Sequence, residues 1–385
     1  MTGGGFAPWP DTGARLSDVI KPSFLLPSRN GPIDPDVSSR INVLRIILIG
    51  LIIIGHGGKA IVAMVPAMGP VMTFTLATIS GNVDYSTVPL FFAISGYLFL
   101  RRFELGKASY LTMLRKKFFG LFVPFVLFNL IWILWLYAVG SIEMFGSWTS
   151  VADAGVVNKL FGIGTLPVNY PTWFLRDLLL IFLLSPVFVL LFKEMPMTGL
   201  IALFALWIGQ NDGGAYSMYG HAFSFYAGGL LSRKNVNLRD TAGFDAVVLP
   251  GFAAATLFFI YKDAFALDPA FAGRLFKCYS LFGVVFFWCL SRRRFLKDSR
   301  LLQRMAGYSF FIFLCHEPTL SILQTSIIGI WRPQSDLEQV VFYFGTGLGV
   351  IFLLFGLGMA FSKYAPRVYG FCVGSHTGRR PLAQG

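Results

Sequence analysis

The sequence predicts an all-α integral membrane protein of about ten transmembrane helices with both termini cytoplasmic, and three observations carry that prediction. Of 385 residues, 55% are hydrophobic and only 13% charged, with 41 Phe, a composition that excludes an ordinary soluble globular enzyme. Apolar stretches of the roughly 20 residues needed to cross a hydrocarbon core recur from about residue 42 to residue 362. Lys and Arg collect in alternate connections between those stretches.

Taken in order, the spans are expected at 42–64, 85–100, 118–140, 173–192, 197–210, 219–232, 245–261, 275–291, 305–331 and 339–362. The fifth and sixth are short and carry Gly199, Gly220, Gly228 and Gly229, so tilting or breakage is expected there. Ten spans put both ends of the chain on one face. The same face receives Arg101, Arg102, Lys107, Arg115, Lys116 and Lys117 in one loop, then Arg233, Lys234 and Arg239, then Arg292, Arg293, Arg294, Lys297, Arg300 and Arg304. The opposite connections hold Glu143, Asp153, Asp268, Asp336 and Glu338. The positive-inside rule makes the basic face cytoplasmic. The net charge of +13 is thus largely topological, and suits membrane lipids with anionic headgroups or an anionic cytosolic ligand, with no nucleic acid as partner. Residues 1–40 are expected to form a polar, disordered cytoplasmic tail without a signal peptide. Residues 41–362 are expected to form the membrane domain and 363–385 a basic cytoplasmic tail. Cys278, Cys289, Cys315 and Cys372 lack metal-type pairing, so neither a disulfide nor a metal site is expected.

Ionisable side chains within spans point to function, because each costs at least ~2.5–3.5 kcal/mol at a helix centre unless it finds a partner or water. Arg45 and His56 stand eleven residues apart in the first span. Helical geometry separates them by about 16 Å along the axis and leaves them on nearly the same face. For His56 the alternatives are interhelical hydrogen bonding and a reactive base, with Gly55, Gly57 and Gly58 opening room beside it. Arg45 is either a snorkelling residue or a ligand for an anion. In the ninth span Ser309 and His316 share a face, and counting inward from Arg304 puts His316 about 18 Å deep, level with His56. Glu317 follows it and could orient or charge-balance an imidazole. Ser95-Gly96 in the second span reads as a polar contact or a helix-packing site. Trp173, Arg176 and Asp177 open the fourth span, where Trp is a normal interfacial residue and Arg176-Asp177 could pair locally. His221, near a helix end, and His376, in the tail, read as ordinary structural or solvated residues.

In this order the segments resemble bacterial acyltransferase family 3, inner-membrane enzymes that O-acylate surface and secreted polysaccharides. Arg45, ten intervening residues and His56 are similar to its first-helix Arg/His signature. Val88-Pro89-Leu90-Phe91-Phe92-Ala93-Ile94-Ser95-Gly96-Tyr97 followed by Arg101 resembles its second block. Arg115-Lys116-Lys117 leading to Val123-Pro124-Phe125 resembles its basic loop, and Trp173-Phe174-Leu175 and Ser309 through His316 complete the series. Many relatives carry Arg-x-x-Arg after the second block, whereas here Glu104 stands three residues after Arg101 with Arg102 adjacent. The long appended hydrolase-like domain that some relatives carry is not expected here.

The resemblance implies a multi-pass enzyme of the bacterial inner membrane that moves an acetyl or succinyl group to a hydroxyl of an exopolysaccharide or its lipid-linked oligosaccharide precursor. No bound cofactor is implied; acyl-CoA, as acetyl-CoA or succinyl-CoA, is the co-substrate. His56, His316 and Glu317 are the implied catalytic set, with Arg45, Arg101, Arg102, Arg115, Lys59, Ser95, Trp173 and Arg176 on the substrate and donor side. The chain looks like members that modify exopolysaccharide, including succinoglycan succinyltransferases, with acetyl as the more general default. A succinyl donor would call for one more cation near the thioester, which Lys59 or Arg176 could supply. Two competing classes are a transporter or flippase of a glycan precursor, since buried Arg, His and Glu also make proton relays, and a non-catalytic partner of a polysaccharide synthase. The oligomeric state is open.

Overall fold

The computed structural model describes residues 33–64, 67–101, 107–142, 146–210, 217–233, 238 and 243–375, and is almost entirely helical. Helix α1 (Pro35–Met64) is followed by α2 (Pro70–Thr78), a 3₁₀ turn, α3 (Thr87–Leu100), α4 (Lys107–Lys117), a π turn and α5 (Val123–Val139). After a two-residue β ladder (Ser141–Ile142 with Gly146–Ser147) and two short helices come α6 (Trp173–Leu183), α7 (Ser185–Glu194), α8 (Pro196–Gly209) and α9 (Met218–Arg233). The chain ends with α10 (Asp245–Ile260), α11 (Pro269–Leu290), α12 (Ser309–Ile330), α13 (Asp336–Tyr364) and α14 (Pro366–Cys372).

Among the described residues six helices are long and apolar enough to span a membrane: Pro35–Ala63, Pro70–Leu100, Ala108–Val139, Pro269–Leu290, Ser309–Ile330 and Asp336–Tyr364. The pair Tyr170–Leu183 and Ser185–Glu194, bent by 54°, makes up to seven. Pro186, in the first turn of α7, has no amide hydrogen to continue α6 and accounts for the break. The three remaining expected spans are α8, α9 and α10, of 14, 16 and 16 residues, shorter than the roughly 20 that cross a bilayer untilted.

Both ends of the membrane domain differ from the sequence expectation. Helix α1 begins at Pro35, inside the expected tail, with Pro at its first position and the Asp34 carboxylate accepting from the Asp36 amide. Arg40 anchors it: fully buried, its guanidinium donates to Ser291 Oγ (3.1 Å), the Leu238 carbonyl (2.9 Å) and the Trp288 carbonyl (2.7 Å). At the other end, Pro366 restarts the chain as α14, whose buried Tyr369 packs on Phe311 and Phe361 with ring centroids 5.7 and 5.6 Å apart. The segment expected as a basic tail therefore begins as part of the core.

Helix α3 meets α9 backbone to backbone. A Cβ on Gly96 would collide with the Phe225 carbonyl, and one on Gly228 with the Ala93 carbonyl, so small residues set this contact as they do between membrane helices. This explains why α9 is glycine-rich and weakly apolar yet central. Helix α1 packs between α12 and α13, with Gly57 against Gln324 and Tyr343, and Gly347 against Ile54. Leu134 and Trp135 of α5 and Phe352 and Leu353 of α13 point outward, as lipid-facing residues do.

Candidate active site

The site starts from a helix defect. Pro318 lies inside α12 and has no N–H for the Leu314 carbonyl four residues earlier. Asn169 Nδ2 supplies that hydrogen bond at 2.9 Å. Asn169 is itself held by Asn129 of α5, whose Oδ1 accepts from the Asn169 amide at 3.0 Å and whose Nδ2 donates to Thr172 Oγ1 at 2.9 Å. This buried lattice fixes the Tyr170–Thr172 turn and sets the Tyr170 ring 5.0 Å from that of His56.

Two helices bring the ionisable groups together. His316 of α12 is fully buried, and its Nδ1–H donates to the Phe313 carbonyl at 2.6 Å. Its Nε2 is then an acceptor, 3.2 Å from His56 Nδ1 on α1. The proton between the rings therefore belongs to His56 Nδ1, which leaves the lone pair of His56 on Nε2. Glu317 Oε2 lies 3.1 Å from His56 Nδ1 but off the N–H axis, buried without an aligned hydrogen-bond donor. Lys59, 49% exposed, places Nζ 3.7 Å from Glu317 Oε1 and 3.4 Å from the Tyr170 ring centre. The ligating atoms of His56, His316 and Glu317 lie within 4.8 Å of one another, a spacing compatible with an imidazole–carboxylate metal site. In this arrangement the N–H···N bond engages both nitrogens and the Lys59 ammonium faces the carboxylate.

His56 opens onto a cavity of about 1560 Å³ between α1, α3, α6, α9 and α12. Its lining on α1 runs from Arg45 to Val62, about 25 Å at 1.5 Å per residue and close to the roughly 30 Å thickness of a hydrocarbon core. Phe91, Phe174, Phe310 and Phe313 make much of its middle. Among the described residues no carboxylate pairs with Arg45.

A family model described as an acyltransferase domain matches residues 38–356. The chain belongs to acyltransferase family 3. It is 29% identical over 370 residues to "Succinoglycan biosynthesis protein ExoH" of Rhizobium meliloti (strain 1021), covering 91% of this chain and 95% of that protein. No solved structure matches it significantly.

The acyltransferase gathers most of its sequence-predicted site residues in one place. Arg45, His56, Lys59, Ser95, Trp173 and Arg176 line the cavity, while His316 and Glu317 stand behind His56. Arg101 and Arg115 do not line it: Arg101 donates to the Tyr97 hydroxyl at 3.1 Å, and Arg115 is exposed in the last turn of α4. Arg102 lies outside the described residues, as do Lys234, Arg239 and His376.

One side chain of the acyltransferase, Tyr170, escaped the sequence reading, and two others, Asp177 and His221, were read there only as a local partner of Arg176 and an ordinary structural residue. Tyr170 sits in an irregular turn with no periodicity to mark it. His221 and Asp177 form a second pair, Nδ1 to Oδ2 at 3.0 Å, and both line the cavity. Asp177 also accepts from Arg176 Nε at 2.9 Å, and Arg176 Nη1 reaches the Gly162 carbonyl at 2.6 Å. The imidazole of His221 is sandwiched by Phe92 (centroids 4.4 Å apart) and Trp173 (5.2 Å). A His and an Asp in separate apolar helices were the only available signal.

Proposed function

We propose that this acyltransferase moves an acyl group from cytosolic acyl-CoA to a hydroxyl of an exopolysaccharide, or of its lipid-linked precursor, at the bacterial inner membrane, with His56 as general base. The observation that carries the proposal is the hydrogen-bond order Phe313 carbonyl, His316, His56, which leaves the cavity-facing imidazole with its lone pair on Nε2. In the reaction the acceptor hydroxyl gives its proton to His56 Nε2 as its oxygen attacks the thioester carbonyl carbon. The tetrahedral oxyanion collapses, the C–S bond breaks, and the CoA thiolate takes the proton back from the imidazolium. Glu317, 3.1 Å away, balances the transient positive ring.

The basic loops and both termini face the cytosol in this proposal. Arg101, Arg102 and Arg115 then meet the donor's phosphates outside the cavity, and Arg45 receives its arm. A succinyl group is favoured over acetyl, because its carboxylate would answer Lys59, one turn from His56 and lining the cavity, and because the ExoH relative is named for succinoglycan biosynthesis.

The test is free-thiol release from succinyl-CoA or acetyl-CoA by the purified protein. Unacylated polysaccharide from a deletion strain serves as acceptor, with the product read by NMR. His56→Ala should insert and express normally and lose about 10²-fold or more in turnover. Near-wild-type acylation by that variant removes the assignment of His56. Absence of thiol release by the wild type favours a carrier.

A further inference from the structure

We infer that Asp84 is the carboxylate that receives the glycan acceptor, taking a hydroxyl beside the one that His56 deprotonates and so fixing which position on the sugar is acylated; the inference rests on the acyl-transfer reading above. Asp84 has a seat on α1. Its carboxylate lies against Gly55, where an added Cβ would meet Oδ2 at 2.5 Å. Gly55 directly precedes His56, and both Gly55 and half-buried Asp84 line the cavity. The backbone of Asp84 is fixed on either side: its amide donates to the Ile79 carbonyl at 3.1 Å, and its own carbonyl accepts from Thr87 Oγ1 at 2.6 Å. The turn that carries it is tied to α1 by Ser80, whose Oγ donates to the Gly55 carbonyl at 2.9 Å and lies 3.0 Å from the Tyr343 hydroxyl. A polar group held in this way in a largely apolar cavity is placed to orient a ligand.

Position and charge together decide what suits this carboxylate. Leu76 and Ser80 pack on Gly58 and Asp84 packs on Gly55, so these side chains wall the Lys59 end of the cavity, level with the base and beyond it. Arg45 stands ten residues before Gly55, about 15 Å along α1. In the orientation proposed above, the donor's arm runs from Arg45 to a thioester at His56. Its amides therefore lie on the Arg45 side of the base, and the acceptor enters from the Lys59 end. Charge makes the same choice: a carboxylate only accepts hydrogen bonds and repels phosphate, which suits a neutral polyol rather than the anionic donor. A sugar carries its hydroxyls on adjacent carbons, so one hydroxyl held by Asp84 sets which neighbour meets His56 Nε2. A site built to receive a hydroxyl discriminates strongly against a position that lacks one. Tyr85, next in the chain, lines the same wall and adds apolar surface for the sugar ring.

The test uses the full-length protein with the acyl-CoA that supports thiol release and unacylated polysaccharide from the deletion strain. Asp84→Asn keeps the shape and removes the charge. Its KM for polysaccharide should rise about tenfold or more, the size of one lost hydrogen bond to a charged group, with KM for acyl-CoA unchanged and kcat less affected. The NMR spectrum of the product should show acyl groups spread over more than one position, a result that a purely structural carboxylate would not give. Gly55→Ala tests the seat without touching Asp84: its methyl should displace the carboxylate and reproduce both effects, and it serves if Asp84→Asn unfolds. In an Asp84→Ala background the same methyl has room, so Gly55→Ala should add little there, the non-additivity expected of groups in contact. Unchanged KM for polysaccharide together with an unchanged acylation pattern overturns the inference. So does a rise confined to the KM for acyl-CoA, and so does a Gly55→Ala effect of equal size in both backgrounds. A wild-type protein that releases no thiol overturns the acyl-transfer reading first, and this inference with it.

Discussion

Replacing Glu317 by Gln removes one charge and almost no volume. The carboxylate is 3% exposed and 3.1 Å from His56 Nδ1. At an effective dielectric constant of about 20, a full imidazolium at that distance gains about 5 kcal/mol from the carboxylate. Half-exposed Lys59, 3.7 Å from the other oxygen, shares the same charge and reduces the net effect. The gain exists only while the ring carries the acceptor's proton, so its loss falls on kcat rather than on KM. Glu317→Gln should therefore lower kcat by about 10²–10⁴-fold, each ~1.4 kcal/mol being a factor of ten. Initial rates of thiol release against acyl-CoA concentration measure it, with thermal unfolding as a check on folding. A kcat within about threefold of wild type, roughly 0.6 kcal/mol, would refute the assignment of Glu317 as counter-charge to His56.

Arg45→Ala should raise KM for acyl-CoA by about 10-fold or more, as expected for one hydrogen bond to a charged group worth about 1.5–3 kcal/mol; an unchanged KM would move the donor path away from α1. Gly228→Val should push α9 from the Ala93 carbonyl, a backbone atom that cannot rotate aside, costing about 1–3 kcal/mol. Detergent thermal unfolding reads that cost, and an unchanged midpoint would mean that the close α3–α9 contact is not required.

The helical membrane class was legible because hydropathy reports the solvent and not the partners. Helix ends were less legible. Pro35 and Pro366 carried start signals, but the low apolarity beside them masked the buried Arg40 and Tyr369 that tie those segments down. The break before Pro186 was also readable in principle, yet the apolar run on both sides concealed it. Within the site, His56 and His316 could be brought level by counting turns, because both lie on long regular helices. Asp177 and His221, 44 residues apart, could not, since their meeting depends on a bend and on glycine-mediated packing that no local pattern encodes. Arg101 and Arg115 show the opposite case: charge marked them in the sequence, and the fold leaves both outside the cavity lining.

The aromatic middle of the cavity matters for the energetics of the cell as well. An enzyme that joins a cytosolic donor to an external acceptor needs a passage nearly as long as the membrane is thick, and such a passage threatens to short-circuit the proton gradient. Phe91, Phe174, Phe310 and Phe313 offer a hydrated ion no ligands with which to replace its water, so on the acyl-transfer reading proposed above the same side chains that line the donor's path should also insulate. Proteoliposomes carrying the protein should hold a pH gradient as long as empty vesicles do, and those carrying Phe174→Ala should discharge it faster; equal decay in all three would show that the electrical barrier lies elsewhere in the bundle.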